Sequence, residues 1–123
     1  MNSSSVISDL ESGDGFYILR GLEVSSVEFV CDYVRIHFDD AIIAFINPVY
    51  VTGNIEAREG GPGFRDAICS IIGKKADDVC IVEDMSMDIK FGETTVSVSL
   101  KPDDYLGPEA ATLFCRGSFS ATI

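Results

Sequence analysis

From Met85 to Leu100 the chain alternates between apolar and polar residues, interrupted only at Gly92-Glu93. Successive side chains of a strand point to opposite faces, so this pattern predicts a hairpin with one apolar side. Gly92 can take the positive φ required at the first position of a type II′ turn. With Phe91 opposite Thr94, Ile89 faces Val96, Met87 faces Val98 and Met85 faces Leu100. The same register sets Asp84 opposite Lys101 as a cross-strand ion pair. A slip of one residue would carry every apolar side chain to the polar face, which fixes the pairing.

A second hairpin is predicted over Tyr33 to Asn47, turning at Asp39-Asp40, with Val34 against Phe45 and Ile36 against Ile43. Its other face is also partly apolar, with Tyr33 meeting Ile46 and His37 meeting Ile42, as expected of a central or covered hairpin. Upstream the apolar parity switches from odd (Val27, Phe29, Cys31) to even (Val34, Ile36, Phe38), which asks for a bulge or turn near Asp32.

Pro48 to Thr52 and Val79 to Val82 read as further strands, and Gly53 to Gly61 as an exposed loop. Phe64, Ala67, Ile68, Ile71 and Ile72 form a stripe at helical spacing, so a helix is predicted over Pro62 to Ile72, closed by Gly73. Pro102-Asp103-Asp104 is turn chemistry, Pro108 to Ala111 reads as a short helical turn, and Thr112 to Cys115 as an edge strand. The predicted fold is therefore α+β: mainly antiparallel sheet, a barrel-like meander of hairpins, with one principal helix packed on it. Residues 1–15 read as a flexible segment and residues 16–123 as a single domain.

Composition narrows the partners. The formal net charge is -11, from twenty acidic and nine basic residues. Such a chain repels phosphate backbones and anionic membrane surfaces unless it carries a basic patch, and the only adjacent basic residues are Lys74 and Lys75. The expected partner is a basic protein or a second copy of the chain, with no nucleic acid and no membrane. Cys31, Cys69, Cys80 and Cys115 are widely spaced and sit among apolar neighbours, so they read as reduced core thiols rather than zinc ligands. With no basic and apolar leader in the given N-terminus and no long apolar run, the expected location is the cytoplasm.

Chemistry is sparsely signalled. His37, the only histidine, stands beside Arg35 on a strand, where a solvated or packed histidine is a simpler reading than a general base. Gly60, Gly61 and Gly63 precede the helix without the Lys-Ser/Thr ending of a phosphate loop. The densest polar group is Asp103, Asp104 and Tyr105 with Glu109, which places three carboxylates and a phenol beside a Gly-Pro bend. These residues can bind a small ligand, or they can cap turns and fold over the core. No cofactor is expected.

Asp32 to Asp39 and, more tellingly, Ser99-Leu100-Lys101-Pro102-Asp103-Asp104-Tyr105-Leu106-Gly107-Pro108-Glu109-Ala110 resemble a family of small uncharacterised bacterial proteins, a domain-of-unknown-function group. The resemblance extends loosely over residues 20–115 and implies no established activity. Some members look like neighbours of toxin systems, which implies an immunity-type role. Two readings stay open: a non-enzymatic interaction module with an acidic surface, self-associating through the doubly apolar Tyr33 to Asn47 hairpin, and a small-ligand or metal-dependent enzyme built on Asp103, Asp104, Tyr105 and Glu109.

Overall fold

The computed structural model describes residues 14–31, 33–54, 56–115 and 120–123. Its strands, in chain order, are β1 (Val24–Val30), β2 (Tyr33–Phe38), β3 (Ala41–Phe45), β4 (Val49–Thr52) and β5 (Ala57–Arg58). After the helix α1 (Phe64–Cys69) come β6 (Asp78–Val82), β7 (Ser86–Phe91), β8 (Thr94–Ser99), β9 (Ala111–Cys115) and β10 (Ser120–Thr122). They form two five-stranded antiparallel sheets, ordered β1-β2-β3-β9-β10 and β5-β4-β8-β7-β6.

Period-two alternation makes one face of each sheet apolar, and both faces drain into one core. Val34, Ile36, Ile43, Phe45 and Leu113 line it from the first sheet, and Val49, Met87, Ile89, Val96 and Val98 from the second. Phe38 and Phe91 stack across the gap between the sheets. The two open sides of this sandwich are plugged. Phe64 and Ile68 of α1 are buried where the helix packs on β1, β4 and β5. A 3-10 turn over Asp14–Leu19 buries Phe16 and Leu19 beside β6 and β10, and so begins just inside the segment expected to be flexible.

The sheets do not close into a barrel, contrary to the barrel-like meander read from the sequence. β1 and β10 end the first sheet, and β5 and β6 the second. The reason lies at Ile46-Asn47-Pro48, where the chain leaves one sheet for the other. The Ile46 and Asn47 amides both donate to the Ala110 carbonyl, and Pro48 has no N–H with which to continue a ladder.

The Gly92 hairpin has the expected register, with Phe91 opposite Thr94, Ile89 opposite Val96 and Met87 opposite Val98. Gly92 has φ 65°, and Asp84 is the only described non-glycine residue with positive φ, so Glu93 is negative and the turn is type II′. The outer end departs from expectation. β7 starts at Ser86, Asp84 sits in a turn with φ 63°, and Met85 is 53 % exposed rather than facing the core. No Asp84–Lys101 ion pair forms among the described residues.

The second hairpin also has its expected register, from Val34 opposite Phe45 to His37 opposite Ile42. β1 and β2 pair up to Val30 opposite Tyr33, so a turn accounts for the parity change; Asp32 itself lies outside the described residues. The helix is shorter than predicted. Gly63 takes the left-handed conformation (φ 77°), which stops a start at Pro62, and beyond Cys69 the amides of Ile71, Ile72 and Lys74 bond three residues back. Lys74 and Lys75 therefore lie beyond its last turn. Pro108 to Ala111 is a bend leading into β9 rather than a helical turn, and β9 is an inner strand between β3 and β10, not an edge. The cysteines are unpaired but none is buried: Cys31 is exposed and the other three are half-buried.

Candidate functional site

The residues singled out in the sequence do not converge. Asp103 is exposed on a 3-10 turn over Pro102–Asp104. Asp104 accepts a 2.6 Å hydrogen bond from the Ser99 hydroxyl, which belongs to the second sheet. Glu109 accepts at 3.2 Å from the Thr112 hydroxyl, which belongs to the first. Tyr105 packs on the core, and its phenol is pushed up by burial and then by the charge of Asp84. The whole segment is fastened from beneath by buried Asn47, whose amide donates to the Ser99 carbonyl at 2.8 Å while its oxygen accepts from the Leu106 amide at 3.4 Å. Among the described residues no group of three or more His, Cys, Asp or Glu is placed to hold a metal ion.

The structure instead assembles polar and aromatic groups along the free edge of β1. Beyond Val24, which bonds to Lys74 and Gly73, no backbone bond joins the outer edge of β1 to another element among the described residues. Beside that edge lies a cleft of about 480 Å³, between the β1–β2 turn and the segment Glu59 to Asp66. Its apolar lining includes Phe29, Val30, Val34 and Phe64, the two rings meeting edge to face at 6.5 Å. Arg65, also in the lining, lies 4.7 Å from the centre of the Phe29 ring.

Glu59 and Asp66 supply the negative charge of the lining. Glu59 is fixed from both ends: its amide donates to the Val49 carbonyl at 2.8 Å, and its carboxylate accepts from the Val49 amide at 3.2 Å. Burial pushes the Glu59 carboxyl above the usual carboxylate range, against the opposing pull of that amide. A part-buried carboxyl with a raised pKa in a cleft is the kind of group that functional sites hold.

The same two strands carry an ion network on their outer face. Glu28 sits directly opposite Arg35. It accepts at 2.8 Å from the Arg35 guanidinium and lies at 2.8 Å from His37 Nε2. The hydrogen bond to Arg35, and then that to His37, hold the Glu28 carboxyl below its ordinary range, and the same pairing holds Arg35 above its own. His37 also borders a second cleft of about 420 Å³ with Asp39, Asp40, Phe114 and Cys115. Burial, then Asp40, pushes the Cys115 thiol up, away from the thiolate a nucleophile needs.

No protein-family model, curated protein or solved structure matches this chain. The resemblance read at Asp32 to Asp39 and Ser99 to Ala110 thus stands on those residues alone. No described helix is long and apolar enough to cross a membrane. Sequence reading missed Glu28, Glu59 and Arg65. Glu28 was within reach, because pairing β1 with β2 from the parity switch puts it opposite Arg35. Glu59 carries no periodic signal, and only its bonds to Val49 distinguish it from a loop carboxylate.

Proposed function

We propose that this chain is a non-enzymatic protein-interaction module that takes up an extended, basic segment of a protein partner along the edge of β1. The observation that carries the reading is an edge strand of seven residues, free of proline and lysine, running beside an aromatic cleft lined by two carboxylates and one guanidinium. Proteins usually blunt such edges with lysine, proline or a bulge. β1 has one irregularity, between Val24 and Ser26, and beyond Val24 its outer edge makes no backbone bond to another element among the described residues. An added strand would gain main-chain hydrogen bonds to β1, with alternate side chains directed into the cleft. Glu59 and Asp66 favour lysine or arginine there, and the charge of -11 steers a basic partner inward from a distance. An immunity-type protein, which works by covering another protein, is one instance of such a module. The unpaired cysteines fit a reducing compartment such as the cytoplasm.

An extended peptide of alternating lysine and valine tests the reading, with alternating glutamate and valine as control. Amide exchange over Val24–Val30 should slow with the lysine peptide alone, and Glu59→Gln with Asp66→Asn should weaken its binding about tenfold. Binding without protection of β1, or equal binding of the glutamate peptide, would refute it.

A further inference from the structure

We infer, resting on the docking proposed along β1, that Glu59 is the carboxylate that reads a lysine of the partner, and that the incoming ammonium drives a proton off it. Acid then loosens the complex.

Val49, at the start of β4, holds Glu59 in place for this. The Glu59 N–H donates to the Val49 carbonyl and its Oε1 accepts from the Val49 amide, which fixes the side chain beside the cleft. Oε2 makes no hydrogen bond among the described residues, yet it is not one of the buried atoms left without a partner, so it stays open to solvent. No cation pairs with Glu59 among the described residues. The ionisable groups around it are Arg58, which precedes it on β5, Arg65 and Asp66 of α1, and Cys31 and Tyr33 where β1 turns into β2. Arg65 lies over the Phe29 ring instead of pairing with it.

A half-buried carboxylate gives up hydration, and here a single amide compensates. Burial therefore pushes the Glu59 carboxyl up, with the Val49 bond opposing it. A lysine ammonium at Oε2 favours the charged form, so docking pulls the carboxyl back down and the proton passes to the buffer. Asp66 is placed differently. It is exposed on α1, where water and salt screen its charge, and it also borders a neighbouring cleft together with Lys74. His37 is paired with Glu28 and does not line the β1 cleft.

The alternating lysine and valine peptide, titrated into the full chain from neutral pH downward, tests the inference. Affinity should fall by up to about tenfold per pH unit once the raised folded value of Glu59 is passed. Calorimetry in two buffers of different ionisation enthalpy should show a proton released on binding. Asp66→Asn should keep that release. Glu59→Gln, with an unchanged far-ultraviolet circular dichroism spectrum, should bind more weakly and release none, as should the peptide with its lysines acetylated and so uncharged. No binding of the lysine peptide at any pH would sink the docking along β1 and this inference with it. Binding that ignores pH, or proton release that survives in folded Glu59→Gln, would overturn this inference and leave the docking standing.

Discussion

Phe38 of β2 and Phe91 of β7 stack with ring centres 6.4 Å apart and planes 18° from parallel, the one ring contact that joins the two sheets among the described residues. Both are buried, so truncating either leaves a cavity between layers that cannot easily close. Phe91→Ala is expected to lower stability by about 3–5 kcal/mol in urea unfolding. Phe38→Ala should act similarly, and the double variant should lose less than the sum, because the second truncation no longer breaks a ring contact.

Asn47 is fully buried and holds the segment between β8 and β9 through its side chain. Asn47→Ala leaves the Ser99 carbonyl without that donor and is expected to cost about 1–3 kcal/mol. Amide exchange should quicken at Leu106, whose N–H loses its acceptor. Unchanged exchange there would show that the Pro102–Asp104 turn keeps its place without Asn47.

Gly92 occupies the left-handed region at the tip of the best-determined hairpin. Its N–H also donates to the Asp77 carboxylate. A side chain meets no atom there, so Gly92→Ala suffers from φ alone and should lose about 1–2 kcal/mol by denaturant midpoint. Gly92→Asn, which tolerates that conformation better, should lose less.

Glu28 and Glu59 should respond to acid with opposite signs. The folded-state pKa of Glu28 is lowered, so its ionised form stabilises the fold above the ordinary carboxylate value, and that contribution fades as pH falls through the lowered folded value. Glu28→Gln should therefore show a smaller loss of stability on acidification than the parent chain, measured by urea midpoints from neutral pH downward.

Glu59 is raised, so the folded state holds its proton more tightly than the unfolded chain. Stability falls as pH rises from its ordinary value to its folded value, then levels off. Glu59→Gln keeps an oxygen acceptor for the Val49 amide and removes the charge, so it should flatten that descent and equal or exceed the parent in stability at neutral pH. Combined with Asp66→Asn it is expected to weaken binding of the lysine peptide, which separates binding from folding.

The hairpins were legible because their side-chain period is two and their faces differ, as at Ile89 against Val96. Helix length was less so. The stripe from Phe64 to Ile72 is equally apolar in a short helix followed by tight turns, and the left-handed Gly63 marks its start only once φ is seen. The barrel reading failed because closure depends on which strand meets β3, and that partner, Ala111–Cys115, lies more than sixty residues downstream. The β1 cleft was not legible for a related reason. Asp103, Asp104, Tyr105 and Glu109 are close in sequence, whereas the β1 cleft joins residues 35 positions apart, from Phe29 to Phe64.

The insertion of β9 between β3 and β10 also bears on how the molecule is made. On the ribosome, Ala41–Phe45 emerges long before Ala111–Cys115, so one side of β3 has no hydrogen-bonding partner while the second sheet is still being synthesised. Such long-range pairing slows folding and exposes apolar edges to other nascent chains. A chain stalled before Ala111 is expected to be captured by chaperones that bind extended apolar segments, and release should follow once the last strands are complete.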